Sequence, residues 1–294
     1  MDMFIKTGFR SLLKGDIIGV PSVSGAVNKE EAAYGKSILE KLNYRVQLAD
    51  NIFDSKKYLS GDDASRIFFF EKMVRNKDIK ALLFARGGYG NIRIIDKINF
   101  NLFKDFRKPV LGYSDNSILL NIIYDISGLK TFHCSNLSDI YKMDTSQISR
   151  LFSGEIKRLI SENPVFLSQG KARGILKGGN LTSIASLCGT GFFPELTNSV
   201  LFLEDINEPL YKIDRALAQI RLCLDLSCIS GVIAGDFINC GDIKNIFELL
   251  KEYFPEIPLV YIKGFGHGES NNPLIIGQPC ILDSRKKIVS YEEV

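Results

Sequence analysis

The chain has 294 residues, of which 45% are hydrophobic and 24% are charged, and its formal net charge is +3. This length is enough for one large domain or two of ordinary size, and we expect two. So balanced a charge does not indicate a surface for nucleic acid or for a membrane, and no stretch reaches the roughly 18 apolar residues that a membrane span requires. We therefore expect neither a nucleic-acid nor a membrane partner.

The six cysteines are scattered, with no Cys-x-x-Cys pair and no histidine at metal-ligand spacing. This pattern predicts reduced, mostly buried thiols, no metal site and no cofactor. The first residues lack the basic segment and long apolar segment of a signal peptide, so a cytoplasmic location is expected. There are only two histidines, His133 and His267, so an imidazole base has two candidates.

The first 161 residues alternate short apolar runs with segments of helical spacing. Strands are predicted at 16–20, 45–49, 80–85, 109–112 and 130–134, and helices at 29–42, 62–74, 92–98 and 116–126. The alternation predicts an α/β fold in which residues 1–161 form a doubly wound, mostly parallel sheet domain. Ligands bind such sheets at the carboxyl ends of the strands, where segments 21–25, 86–90 and 112–115 fall.

Residues 162–174 mix proline, glycine and charge without helical periodicity, and we predict a linker there. A smaller mixed α/β domain is expected over 175–294. Its strands are predicted to start near 174, 199, 231 and 259, with one or two more at 280–289, and its helices at 180–187, 211–224 and 243–253.

Ser114 falls in the break between an apolar run that ends at Gly112 and a helical segment that follows. A serine on such a tight turn is lifted clear of its neighbours, and backbone N–H groups can point at the group that it attacks. The alternative is that its hydroxyl caps the helix, which is a common role of serine. The sequence lacks the second glycine of G-x-S-x-G, so both interpretations stay open.

The segment Arg86-Gly-Gly-Tyr-Gly90 allows three interpretations. Three glycines let a backbone approach a phosphate closely, but the spacing is not G-x-G-x-x-G and no G-K-[ST] follows. The glycines could instead serve a turn that needs positive φ. A glycine N–H could also be donated to an oxyanion beside the serine turn.

A carboxylate and an imidazole occur at later strand ends. Glu204 and Asp205 follow the predicted strand 199–203, and spacing does not choose between them or exclude a surface turn. His267 lies between two glycines after strand 259–262, where a flexible backbone can place the ring in a cleft. His133 ends an apolar strand and is better explained as a core residue, so His267 is the favoured base.

Together these motifs resemble the LD-carboxypeptidases of the S66 serine peptidase family, over nearly the whole chain. The matching segments are Arg86-Gly-Gly-Tyr-Gly90, Gly112-Tyr-Ser-Asp115, Gly178-Gly-Asn-Leu181 with Gly189-Thr190, Leu203-Glu-Asp205 with Glu208 and Tyr211, Asp214-Arg215, and Gly266-His267. The resemblance implies a catalytic triad of Ser114, Glu204 and His267, the serine in one domain and its partners in the other. It also implies oxyanion donors from the backbone N–H groups of Asp115 and Gly87, and a homodimer.

The resemblance further implies hydrolysis of the terminal D-alanine from a murein tetrapeptide during cell-wall recycling. Arg86, Gly88 and Tyr89 are then expected to bind substrate. Arg86 could grip the terminal carboxylate, or it could form a structural salt bridge. Relatives commonly carry His-Gly-Pro where this chain has His133-Cys-Ser-Asn136, which leaves the wall of the substrate pocket open.

Two alternatives to this function differ in class. The first is a hydrolase of aminoacyl-nucleotide conjugates of the microcin C type, although a chain without tryptophan lacks the best residue for stacking on a base. The second is a non-catalytic binder of wall peptides or nucleotides that keeps the fold.

Overall fold

A computed structural model describes residues 4–6, 9–161 and 163–292. The described residues form two compact units. We call Lys6–Ile156 the N-terminal unit, and the described part of Lys157–Val294, with Phe4 and Ile5, the C-terminal unit.

Residues 4–157 contain seven strands and four α-helices among those that the structure describes. The strands are β1 (Phe4–Lys6), β2 (Ile17–Val20), β3 (Arg45–Leu48), β4 (Ile79–Leu83), β5 (Val110–Gly112), β6 (Thr131–His133) and β7 (Glu155–Lys157). The helices are α1 (Lys29–Lys41), α2 (Asp63–Arg75), α3 (Ser117–Ser127) and α4 (Thr145–Ser153).

Five strands of the N-terminal unit lie side by side in the order β6-β5-β4-β2-β3, and all four pairings are parallel. The order places β2, the first of these five strands in the chain, between β3 and β4. The connection from β2 to β3 therefore runs in one direction along the sheet, and the connection from β3 to β4 runs in the other. This is a doubly wound sheet with its topological switch point between β2 and β4. The predicted fold class is confirmed, and the segments after β2 and β4 lie at the edge where such sheets bind ligands.

Two details of the N-terminal unit differ from the predictions. The segment 92–98, predicted as a helix, forms only a short 3₁₀ turn at Asn91–Arg93. Its isoleucines at 94, 95 and 98 are nevertheless buried. Helix α4 was not predicted, although Asp144 and Gln147 form a capping box at its start and are recognisable in the sequence.

The C-terminal unit is built from one large mixed sheet with three helices. Its remaining elements are β8 (Leu159–Ser161), β9 (Val165–Ser168), β10 (Lys171–Asn180), α5 (Leu181–Ala185), β11 (Ser199–Ile206), α6 (Leu210–Cys223), β12 (Ile229–Ile238), α7 (Ile243–Tyr253), β13 (Leu259–Tyr261), β14 (Leu274–Ile276), β15 (Pro279–Asp283) and β16 (Ile288–Tyr291). The eight-stranded order is β8-β16-β15-β10-β11-β12-β13-β9.

Strands β10 to β13 are parallel and form the centre of this sheet, flanked by antiparallel strands on both sides. The three helices α5, α6 and α7 pack their buried apolar side chains against the central strands. The carboxyl ends of β11 and β12 therefore extend from a rigid, well-packed layer.

The segment 162–174 does not behave as the predicted linker. It contains β9 and the start of β10, which pair with β13 and β15 respectively, while residue 162 lies outside the described residues. Pro164 and Gly170 lie in the short connections before and after β9, whereas Gly174 lies within β10. Strand β11 also runs through Glu204 and Asp205, so these acids lie in the last residues of the strand and not beyond it.

None of the helices that the structure describes combines the length and the apolar character needed to cross a bilayer.

The close packing of Gly35 in α1 generates a testable prediction. A Cβ atom there would collide with the carbonyl oxygen of Leu137, so we expect Gly35→Ala to destabilise the protein by about 1–3 kcal/mol through overpacking. Helix propensity alone predicts the opposite sign, because alanine is about 1 kcal/mol more favourable than glycine in a helix. Urea unfolding followed by circular dichroism measures the difference.

The matched control is Gly191→Ala, where the added Cβ would meet nothing within 4 Å. Its stability should stay within about 0.5 kcal/mol of the parent. A Gly35→Ala variant as stable as this control would contradict the packing argument.

Candidate active site

Ser114 lies on a strained turn between β5 and α3. Tyr113 is still extended, whereas Ser114 has a φ of 63°, and a 3₁₀ turn spans Ser114–Asn116 before α3 begins. Positive φ is uncommon for a residue with a side chain and costs free energy that the surrounding structure must offset. Such strain at a serine directs attention to chemistry at its hydroxyl.

The capping alternative does not fit this geometry. Tyr113 occupies the N-cap position of the 3₁₀ turn and Asn116 that of α3, and neither cap makes a side-chain hydrogen bond. Ser114 itself is a residue within the turn, and its side chain is only half-buried. Its hydroxyl is therefore not used to begin the helix.

Gly87 packs directly against the serine. A Cβ atom at Gly87 would lie 2.6 Å from the Cβ atom of Ser114 and 2.8 Å from its Oγ, so only glycine fits here. The carbonyl oxygen of Gly87 accepts a hydrogen bond from the N–H of Gly25 at 3.0 Å, which fixes the loop after β4 to the loop after β2. The first N–H groups of a helical turn have no acceptor within it, and Asp115, the residue after the serine, carries one such N–H group.

A network of buried polar side chains supports the turn that carries Ser114. The carboxylate of Asp115 accepts hydrogen bonds from the hydroxyl of Ser24 and, at 2.9 Å, from the backbone N–H of Asn91. The side-chain amide of Asn91 donates to Ser24 Oγ at 3.1 Å and to Asn116 Oδ1 at 3.0 Å. Burial raises the pKa of Asp115, and the bonds from Ser24 and Asn91 oppose that rise. The network ties the loops after β2 and β4 to this turn.

The segment His133-Cys-Ser-Asn136 takes part in the same network at its end. His133, Cys134 and Ser135 are fully buried, as the sequence predicted for His133. Asn136 Oδ1 accepts from the N–H of Tyr113 at 3.3 Å and from the side-chain amide of Asn116 at 3.0 Å. The departure from the usual family pattern therefore lies within the N-terminal core, next to the serine turn.

Arg86, Gly88 and Tyr89 are all exposed on the loop after β4. Arg86 Nη1 donates to the carbonyl oxygen of Ala26 at 2.6 Å, and no ion pair of Arg86 with a carboxylate is found within the described residues. Tyr89 packs edge-on against Tyr58, with ring centroids 5.7 Å apart. This loop thus presents the guanidinium of Arg86 and the ring of Tyr89, which pairs with Tyr58, on the surface of the N-terminal unit.

Glu204 and His267 are in contact within the C-terminal unit. Glu204 Oε2 lies 2.6 Å from Nδ1 of His267, with the glutamate side chain fully buried and the imidazole 10% exposed. Gly266 has a φ of 117°, and a Cβ atom there would come within 2.5 Å of Glu204 Oε2. The glycine before the histidine is therefore needed both for its backbone conformation and for the approach of the carboxylate.

Asp205 has a different partner from its neighbour. Its carboxylate accepts from the side-chain amide of Asn180 at 2.9 Å and from the N–H and hydroxyl of Thr182 at 3.0 and 2.7 Å. Burial raises the pKa of Asp205, and the negative charge of Glu204 raises it further. Successive strand residues point to opposite faces, so Glu204 meets the histidine while Asp205 holds the start of α5.

Sequence reasoning missed several polar residues that support these groups. In the N-terminal unit they are Ser24, Asn91, Asn116 and Asn136, and in the C-terminal unit they are Asp236 and Asn271, all buried. Small polar residues next to glycine at strand ends were the available signal. Three of the six cysteines are buried, two are half-buried and Cys223 is exposed, so the thiols are less buried than predicted.

The described residues contain no group of three or more histidine, cysteine, aspartate or glutamate side chains arranged to hold a metal ion. The structure brings Glu204 and His267 together in the C-terminal unit and Gly87 against Ser114 in the N-terminal unit.

Comparison with known proteins gives consistent matches along the chain. The LD-carboxypeptidase N-terminal domain matches residues 18–134, and the LD-carboxypeptidase C-terminal domain matches residues 173–282. A probable murein peptide carboxypeptidase of Bacillus subtilis (strain 168) is 31% identical over 96% of this chain and 93% of its own length. The microcin C7 self-immunity protein MccF of Escherichia coli is 24% identical over 96% of this chain and 94% of its own length.

Among solved structures, an MccF-like protein from Bacillus anthracis superposes with a TM-score of 0.86, at 23% identity, over 97% of this chain and 98% of that one. This similarity shows the fold. The two domain matches cover most of the chain, and the B. subtilis relative covers nearly all of it. The chain therefore belongs to the LD-carboxypeptidase family, peptidase family S66, and is a serine-type carboxypeptidase.

Proposed function

We propose that the protein is an LD-carboxypeptidase that removes the terminal D-alanine from murein tetrapeptides, with Ser114 as nucleophile, His267 as general base and Glu204 as the carboxylate that orients the base. The observation that carries the proposal is the 2.6 Å contact of Glu204 with Nδ1 of His267 in a family of serine carboxypeptidases. A buried carboxylate on one imidazole nitrogen is the arrangement that activates a serine in known triads.

The proposed mechanism follows from this contact. With Nδ1 turned towards Glu204, Nε2 of His267 is the nitrogen that takes the proton from Ser114 Oγ. The serine oxygen attacks the carbonyl carbon of the penultimate residue, and the N–H groups of Asp115 and Gly87 stabilise the oxyanion. The C–N bond then breaks as the imidazolium gives its proton to the amine of D-alanine. Water, deprotonated by the same base, hydrolyses the acyl-enzyme.

Recognition of the free terminal carboxylate is assigned to Arg86. Its guanidinium is exposed and makes one hydrogen bond, to the carbonyl oxygen of Ala26. A guanidinium has five N–H donors, so donors remain for a substrate carboxylate, and the absence of an ion pair in the described residues favours this role over a structural salt bridge. Gly88 and Tyr89 on the same loop are proposed to contact the peptide.

The cellular setting belongs to the same proposal. A murein peptidase that acts on released tetrapeptides serves peptidoglycan recycling, and we place this reaction in the cytoplasm, in keeping with six cysteines that are all free thiols. We also propose that the protein works as a homodimer, as its family resemblance implies.

A second candidate function is hydrolysis of an aminoacyl-nucleotide conjugate. The observation that favours it is the exposed pair Tyr58 and Tyr89, which offers aromatic surface to a base in a chain without tryptophan. The relative MccF is named for self-immunity to microcin C7. A direct test of this protein on both substrates decides between the two functions.

One prediction of the proposed function concerns D-alanine release from a murein tetrapeptide. We expect Ser114→Ala and His267→Gln to lower kcat by about 10⁴-fold or more, and Glu204→Gln by about 10³- to 10⁴-fold, because the members of a triad act as a unit. The matched control is Ser149→Ala, an exposed helix serine whose loss should leave kcat unchanged. Release is followed by a coupled D-amino-acid oxidase assay.

Equal release by the parent and Ser114→Ala would rule out this nucleophile. No release by the parent from the tetrapeptide, together with hydrolysis of an aminoacyl sulfamoyl adenosine, would replace the first function by the second.

The second prediction concerns Arg86. We expect Arg86→Ala to raise KM for the tetrapeptide by about 10- to 100-fold, because a charge-assisted hydrogen bond to a carboxylate contributes about 1.5–3 kcal/mol. A tetrapeptide with an amidated C-terminus should be cleaved equally poorly by the parent and the variant. The control Arg75→Ala removes an exposed arginine that pairs with Glu71 and should leave KM unchanged. An unchanged KM for Arg86→Ala would assign the carboxylate to another group.

A further inference from the structure

The two glycines that flank His267 each lie against a buried carboxylate. A Cβ atom at Gly266 would come within 2.5 Å of Glu204 Oε2, and one at Gly268 would come within 2.5 Å of Asp236 Oδ2. The histidine is thus carried by a backbone that passes between two carboxylates. The first contacts the imidazole itself, and the second has no role in the triad described above.

Asp236 is attached to the loop 263–268 at several points. It lies in β12 and is 4% exposed. Both of its carboxylate oxygens accept from the N–H of Gly264, at 3.1 and 3.2 Å, and its own backbone N–H donates to the carbonyl oxygen of Phe265 at 2.9 Å. The loop is therefore fixed to a central strand of the sheet at Gly264 and at Phe265.

Other groups complete the attachment of this loop. Asn271 Oδ1 accepts from the N–H of Gly266 at 3.0 Å, and the side-chain amide of Asn272 donates to the carbonyl oxygen of Gly264 at 2.8 Å. These bonds close the loop on itself, but only Asp236 joins it to β12 by a charged side chain. Removing that side chain would leave the loop shape supported and its position on the sheet weakened.

Two neighbouring strands bring titratable side chains close to Asp236. The negative charge of Glu204 acts from β11, and the hydroxyl of Tyr261 on β13 lies 3.4 Å from Asp236 Oδ1. Burial raises the pKa of Asp236, the bond from the Gly264 N–H opposes the rise, and the negative charge of Glu204 adds to it. The field of Glu204 therefore reaches Asp236.

We infer that Asp236 is a positioning residue for the reaction: it anchors the loop 263–268 to β12 so that His267 meets Glu204. This inference rests on the proposed function in that it takes His267 as the general base. An imidazolium forms when the serine proton is transferred, so the contact with Glu204 that the anchored loop maintains favours that step.

The experiment is Asp236→Asn, which keeps the shape of the side chain and one acceptor oxygen but removes the charge. NMR follows the imidazole signals against pH, and His267→Gln assigns them because the chain has only two histidines. We expect the titration midpoint of His267 to move to lower pH in Asp236→Asn. We also expect kcat for the tetrapeptide to fall about tenfold or more, with KM nearly unchanged, because small displacements of a catalytic group are costly.

The matched control is Asp283→Asn, the same change at a buried carboxylate that accepts the backbone N–H of Lys286 in a turn of the same unit. It should shift neither the titration nor kcat. If Asp236→Asn does not fold, Gly268→Ala tests the same contact, because its φ suits alanine and the added Cβ would push the loop away from Asp236. We expect Gly268→Ala to lower kcat as well.

A folded Asp236→Asn with the titration midpoint and kcat of the parent would overturn the inference, as would a Gly268→Ala variant of unchanged kcat. The titration needs no substrate. Failure of the parent to release D-alanine would therefore contradict the proposed function alone, and a shifted His267 midpoint would still support the anchoring of the loop by Asp236.

Discussion

The contact of Glu204 with His267 is the interaction on which the organisation of the C-terminal unit around its candidate site depends. Burying a carboxylate is costly unless it is hydrogen-bonded or paired. Glu204 is fully buried and lies 2.6 Å from the imidazole, so the ring satisfies a group that water cannot reach. The glycine at 266 follows from this contact, because a side chain there would occupy the place of the carboxylate.

The N-terminal unit solves a different problem, which is to hold a serine at positive φ. Its solution is a network of small polar side chains below the turn, centred on Asp115 and Asn91. Because every member is buried, the loss of one bond leaves a polar group without water or partner, which costs more than the bond itself contributes. The turn is therefore fixed by side chains that have no part in the proposed chemistry.

The fold and the main candidate residues were accessible from the sequence, and the supporting residues were not. Apolar runs of strand length and helical spacing identified the central strands and α1, α2, α3, α6 and α7. The linker prediction was wrong because proline and glycine mark tight turns between strands as well as flexible connections. Local spacing did not choose between Glu204 and Asp205. Their side chains point to opposite faces of β11, so the two carboxylates have different partners in the structure. Ser24, Asn91 and Asp236 depend on contacts between distant segments, which no local pattern records.

The backbone conformation of Ser114 has a consequence for the evolution of this fold. Glycine adopts positive φ at little cost, so the turn would be more stable with a residue that has no hydroxyl. Selection for thermal stability alone would thus favour loss of the side chain at this position, so the presence of serine here implies a benefit that outweighs the strain. In relatives that have lost catalysis and kept only binding, this serine is expected to be among the first residues replaced.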